Sequence, residues 1–279
     1  MFQKGFFKIK YILFPLIISL IFISCSSDAV YLHQTKGLIV ILKADDLGDT
    51  TSNWNRFIKR LVDDSICAGI GIISKNVHES SIPEIQRIST LNQVNGSPVV
   101  EFWNHGYDHL NLKPNDRVTE FFNTSYDYQY THFQLAQHFF SDSLHIICHA
   151  FGAPHNRCDS KTDSVISHFP EINVWQQFTR LEHYDRKVWK DPKYEIINNT
   201  DQHIVLSIDY LSLKSLNASG FEKNFRKDNE KPYILIQIHP AIWNDAMFTN
   251  FENLVQFYKK RPNTRFMTPY QYFNYLHTQ

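Results

Sequence analysis

The feature that most constrains this chain is an alternation that begins near residue 38 and continues almost to its end. Short apolar runs rich in β-branched and aromatic residues alternate with stretches of helical spacing. The runs fall at residues 38–43, 68–74, 98–104, 145–151, 172–178, 203–208 and 233–239, with one more at 265–268. Their length and composition favour strands over short helices. Between the first two, Trp54, Phe57, Ile58, Leu61 and Val62 share one helical face behind the cap candidates Thr51 and Ser52. Between the next two, Pro83 stands where a first helical turn accepts proline, and Ile85, Ile88 and Leu91 follow at helical spacing. Strand, crossover helix and strand, repeated, imply a parallel sheet. The expected fold class is therefore α/β, a distorted or incomplete (β/α) barrel with about seven parallel strands. An open doubly wound sheet is the alternative.

The N-terminal segment differs from the rest. Lys4, Lys8 and Lys10 precede an apolar run at residues 11–23, which ends in Ser24-Cys25-Ser26-Ser27-Asp28. This is the pattern of an export signal. A cysteine after a small residue at the end of such a run resembles the bacterial lipobox, which implies lipidation of Cys25 and anchoring to a bacterial membrane on its periplasmic or cell-surface face. A plain signal peptide or an uncleaved anchor are the alternatives, the run being short for a spanning helix. Lys and Arg balance Asp and Glu at 28 each, and no basic tract stands out, so a nucleic-acid partner is not expected. Apart from Cys25, three cysteines remain, Cys67, Cys148 and Cys158. Three cannot all pair internally: a Cys148–Cys158 disulfide and buried free thiols are both open.

Functional groups of parallel α/β folds gather at the carboxyl ends of strands. Here the first strand ends Lys43-Ala44-Asp45-Asp46-Leu47-Gly48, with two adjacent carboxylates that also suit a helix cap. The third ends Asn104-His105-Gly106-Tyr107-Asp108-His109. Histidines four apart can face one side of a helical turn, a spacing that serves zinc, and Gly106 permits a tight turn. The fourth runs into Gly152-Ala153-Pro154-His155, a loop able to point backbone N–H groups into a site, and the seventh ends in His239.

Together these four segments resemble the polysaccharide deacetylases of carbohydrate esterase family 4. The family's Thr-Phe-Asp-Asp-Gly motif is similar to residues 43–48, with Leu47 inserted; its His-x-x-x-His pair to His105 and His109; its Arg-x-Pro-Tyr loop to residues 152–155; and its late strand ending in histidine to His239. The resemblance implies Asp46, His105 and His109 as ligands of a divalent metal, expected to be zinc. It implies Asp45 as general base, His239 as general acid and His155 as donor of a backbone N–H to the oxyanion. The expected activity is removal of acetyl groups, N-acetyl first, from a polysaccharide or amino sugar outside the cytoplasm. The domains expected are a lipoprotein-type signal segment at 1–25, a tether at 26–36 and a deacetylase-like catalytic domain at 37–279, with 181–230 as long loops around one apolar run.

The chain departs from the family at two positions. Gly152 stands where the family carries the arginine beside its catalytic aspartate, with Arg157 and Arg180 as candidate replacements, and His155 stands where it carries a tyrosine. These changes motivate the rival expectation of a catalytically impaired, lipid-anchored glycan-binding protein that keeps the metal site. Trp175 suits an acetyl pocket or the core, and Tyr107, Trp243 and Phe248 suit sugar stacking or packing.

Overall fold

The computed structural model describes residues 37–113, 118–177, 193–196, 204–209, 211–212 and 233–278. Cys25, Arg180 and most of 181–230 lie outside the described residues. The strands are β1 (Ile39–Leu47), β2 (Ala68–Ile72), β3 (Val100–Asn104), β4 (Asn111–Lys113), β5 (Val118–Thr119), β6 (Ala150–Phe151), β7 (Val174–Gln177), β8 (Lys193–Ile196), β9 (Ile204–Asp209), β10 (Leu211–Ser212), β11 (Tyr233–Ile238) and β12 (Arg265–Phe266). The main sheet runs β10-β11-β1-β2-β3-β6-β7-β9-β8, with β12 beside the start of β1. Every pairing in it is parallel except β8 with β9. One residue separates β9 from β10, yet β9 pairs with β7 and β10 with β11. The sheet therefore curls round on itself into a distorted (β/α) barrel. With β9 and β10 counted together, seven strands of the main run are parallel, as the alternation predicts, the short β12 beside β1 adds an eighth, and the open doubly wound sheet is not formed.

Successive side chains of a strand face opposite sides, and this divides the core in two. Ile39, Ile41, Trp103, Ala150, Val174, Leu235 and Tyr272 fill the inside of the barrel. Val40, Leu42, Ala44 and Leu47 face outward and pack with the helices. By the same alternation Lys43 and Gln237 point inward, one step nearer the carboxyl ends than Ile41 and Leu235.

The first helix, α1 (Ser52–Asp63), begins at Thr51, whose hydroxyl accepts the Trp54 N–H, and buries Trp54, Phe57, Ile58 and Leu61. Val62 does not share that face and is 47% exposed. After α2 (Ile82–Ser89) come α3 (Tyr126–His138), α4 (Ser160–Ile166), α5 (Asp245–Lys259) and α6 (Pro269–His277). Asn53 on α1 donates to the carbonyls of Ala241 and Trp243 at 3.0 and 2.9 Å, which ties the helix to the turn after His239.

The structure corrects several expectations. The run at 145–151 yields only two strand residues, because α3 continues as a π-helical turn over Phe139–Leu144 that a left-handed His145 terminates. Part of 181–230 forms the antiparallel edge strand β8 instead of loop. Trp243 and Phe248 are core residues packed on each other and, through Trp243, on Phe57 and Phe251, so neither offers a face to a sugar. Trp175 is 3% exposed in the outer layer beside Phe151. Cys148 is a buried free thiol close to the Ala150 carbonyl, and no Cys148–Cys158 bridge forms.

Candidate metal centre and active site

Strict alternation along β1 would send Asp46 into the outer apolar layer. It does not, because the register against β2 slips: Ala44 faces Ile70, and Leu47, three residues on, faces Ile72, only two residues on. The extra residue is a β-bulge, a device that re-aims side chains, and Asp46 absorbs it with a left-handed φ of 70°. Asp45 stays on the inward face and Asp46 turns to the same end of the barrel. The inserted Leu47 returns to the outer layer, fully buried.

The His105–His109 pair is not on a helical turn. Gly106 and His109 both adopt left-handed backbone conformations, φ 79° and 54°, in a loop leaving β3. Nevertheless both rings converge on one oxygen, with the Nε2 atoms of His105 and His109 at 3.1 and 3.2 Å from Asp46 Oδ1. His105 Nδ1 lies 2.7 Å from the Gly152 carbonyl, which can only accept, so Nδ1 carries a proton and Nε2 is the nitrogen turned towards Asp46. Two imidazole nitrogens this close to one carboxylate oxygen need a cation or a proton between them. A carbonyl-oriented histidine, a second histidine and a carboxylate are the donor set that zinc and similar divalent ions take, so these residues fit a metal. Burial alone would raise Asp46; the hydrogen bonds and charges of His105 and His109 outweigh it and hold the carboxyl well below the usual carboxylate range. Burial pulls His109 down, but the hydrogen bond and charge of Asp46 prevail and raise it.

Asp45 is 1% exposed and lies beside this group, its Oδ2 3.8 Å from His105 Nε2. Of the arginines proposed as its cation, Arg157 makes no described contact with it, and Arg180 lies outside the described residues. The partner is Lys43, two residues back on the same inward face of β1, with Nζ at 2.7 and 2.6 Å from the two carboxylate oxygens. Lys43 is fully buried and its Nζ lies 4.6 Å from the Trp103 ring centroid. Gly152 makes the room, since a Cβ there would sit 2.8 Å from the Trp103 ring and 3.3 Å from Lys43 Cε. Burial drives the Lys43 ammonium below its ordinary value, with the charge of Asp45 opposing. Gln237 Nε2 adds a third hydrogen bond, at 2.5 Å from Asp45 Oδ2. Sequence reasoning missed Lys43 and Gln237. The available signal was period 2: a lysine and a glutamine on the inward face of otherwise apolar strands.

His239 follows β11 and places Nε2 3.8 Å from Asp46 Oδ2, with its side chain 41% exposed, so it stands at the open side of the group. His155 is left-handed, φ 56°, in the short turn Pro154–Asn156, and its ring lies 4.2 Å from that of His109. Burial lowers His155, and the charge of His109 adds to that. Its ring Nε2 is 3.3 Å from the His109 carbonyl, so besides a backbone N–H this residue brings an imidazole against the ligand loop. All six residues singled out from the sequence thus gather at one end of the barrel. Tyr107 sits there too, edge-on to His132.

No family model and no curated protein matches the chain. Solved structures do. A probable polysaccharide deacetylase from Pseudomonas aeruginosa superposes with TM-score 0.61 at 10% identity, over 88% of this chain and 92% of that one. A family 4 acetyl xylan esterase from Clostridium thermocellum, in complex with a cobalt ion, gives 0.56 at 13% identity, over 85% and 91%. A family 4 pseudoenzyme from Bacillus anthracis gives 0.53 at 12% identity, over 84% and 65%. The chain has the fold of the carbohydrate esterase family 4 polysaccharide deacetylases, a class that holds both enzymes and a pseudoenzyme.

Proposed function

We propose that this chain is a divergent polysaccharide deacetylase, a metal-dependent hydrolase that removes acetyl groups, N-acetyl first, from a polysaccharide or amino sugar. The observation that carries this reading is the convergence of His105 and His109 on Asp46 with Asp45 and His239 alongside. Asp46, His105 and His109 would hold a divalent ion, zinc by donor chemistry, which would supply a Lewis acid and an activated water. Asp45 takes the proton of the attacking water, and Lys43 and Gln237 keep its carboxylate oriented for that transfer. The His155 N–H donates to the acyl oxygen as it gains charge. His239 hands a proton to the departing nitrogen, which an amine needs more than an alcohol does. A glycosidase reading is disfavoured, because such enzymes use two separated carboxylic acids, whereas Asp45 and Asp46 are adjacent.

Export and anchoring through a lipidated Cys25 complete the proposal; fatty-acid labelling that persists in Cys25→Ser would refute the anchor. The activity is tested by acetate release from N-acetylated oligosaccharides with added zinc, wild type against Asp45→Asn. Loss in the variant is expected; equal release would refute the role of Asp45. A second reading, a glycan-binding protein without turnover, is favoured by the saturation of Asp45 with three hydrogen bonds. It predicts oligosaccharide binding with no acetate released.

A further inference from the structure

The loop that carries His105 and His109 has no helix or strand to satisfy it, so each of its backbone N–H groups needs a partner. His105 N donates to the Ile72 carbonyl at 3.0 Å and Gly106 N to Asn104 Oδ1 at 2.8 Å. The next three all donate to one side chain. Tyr107 N lies 2.6 Å and Asp108 N 3.4 Å from Glu120 Oε1, and His109 N lies 2.9 Å from Glu120 Oε2. Glu120 is fully buried, follows β5, and is approached from its other side by His132 Nδ1 on α3, 3.1 Å from Oε1. Gly106 leaves it room, since a Cβ there would sit 2.6 Å from Glu120 Oε2 and 2.8 Å from Pro154 Cγ.

We propose that Glu120, braced by His132, is the positioning residue of the metal centre: its carboxylate gathers the N–H groups of residues 107–109 and thereby fixes the left-handed turn that aims His109 at Asp46. This rests on the metal-centre reading above and adds to it a residue that touches neither metal nor substrate. One physical rival exists. Asp108, Glu120 and His132 also bring ligand atoms within 4.8 Å of one another, as a second cation site would. The hydrogen bonding opposes it: both Glu120 oxygens already accept backbone N–H groups, Asp108 Oδ1 accepts Leu110 N at 3.1 Å, and Lys75 Nζ stands 3.6 Å from Asp108 Oδ2.

The test loads the full chain with cobalt(II) and measures stoichiometry, affinity by chelator competition, and the visible absorption band. Glu120→Gln keeps the shape but presents an NH2 to one of the backbone donors; Glu120→Asp keeps the charge but shortens the reach. The expected result is one ion per wild-type chain, an affinity about 10- to 100-fold weaker in Glu120→Gln with a shifted cobalt band, and a smaller loss in Glu120→Asp. Thermal unfolding of the metal-free variants identifies any that fail to fold, and amide exchange at Tyr107 and His109 in the metal-free protein, faster in Glu120→Gln, reads the turn without metal. A wild type that binds no cobalt overturns the metal-centre reading itself. Wild-type affinity, band and exchange in Glu120→Gln overturn the role of Glu120 alone. Two ions per chain, one of them lost in Glu120→Gln, make Glu120 a ligand and overturn it as well.

Discussion

Asp45 and Glu120 are both buried carboxylates within reach of the proposed metal ligands, yet the protein compensates them by different means. Asp45 meets a full positive charge, Lys43, on its own strand, together with one amide N–H. Glu120 meets backbone dipoles from the loop it organises, plus one imidazole. The difference matches the proposed roles, chemistry for Asp45 and architecture for Glu120. Asp45, held by the Lys43 side chain and one amide, keeps Oδ2 3.8 Å from His105 Nε2, beside the group that would hold the ion. A carboxylate saturated by N–H groups is a structural hub, and protonating or moving it would release the loop.

Three substitutions sharpen or break this contrast, the largest effect first. Asp46→Ala is expected to weaken metal binding by more than about 100-fold, since it removes a ligand and not a neighbour of one. Asp45→Asn is expected to keep the metal, and elemental analysis that finds equal metal in both would undo the division of labour between the adjacent aspartates. Next comes Lys43→Met, which leaves Asp45 buried without its charge and is expected to cost about 3–5 kcal/mol in urea unfolding. Combining it with Asp45→Asn should restore much of that; no recovery in the double variant would mean that the lysine acts through packing on Trp103 alone.

The smallest effect concerns a third carboxylate with neither arrangement. Glu101 accepts the Tyr270 N–H at 2.8 Å through Oε2, and burial, outweighing the hydrogen bonds of Thr268 and Tyr270, pushes the carboxyl up to about 7. Because the folded value exceeds the ordinary 4.5, the ionised form is the one disfavoured by folding. Stability should fall as pH rises from about 4.5 through about 7, by at most about 3 kcal/mol, and Glu101→Gln should flatten that profile in thermal unfolding. An unchanged profile would show that Glu101 is solvated well enough to need no compensation.

Most of the architecture was legible in the chain, for a local reason. Strand composition, the Thr51 cap and the buried face of α1 follow from side-chain chemistry and short-range periodicity, which act before any tertiary contact forms. Where a local pattern competed with packing, it lost. Val62 has the spacing of the buried face and lies outside it, Trp243 and Phe248 have sugar-binding chemistry and are core, and the 145–151 run is shortened by the helix before it.

The sequence by itself determined which residue types stand at the strand ends, and so named Asp45, Asp46, His105, His109, His155 and His239 as one group. Only the tertiary structure decided how they face one another. Asp46 needed a bulge that no composition announces, His109 needed a left-handed turn held by Glu120 from eleven residues away, and Asp45 needed Lys43 in space that Gly152 leaves open. The reason is physical: a residue's identity fixes the chemistry it can offer, but its direction and its buried charge partner are properties of the packed chain, and a missing side chain at one position is meaningful only through the group that enters the room it leaves.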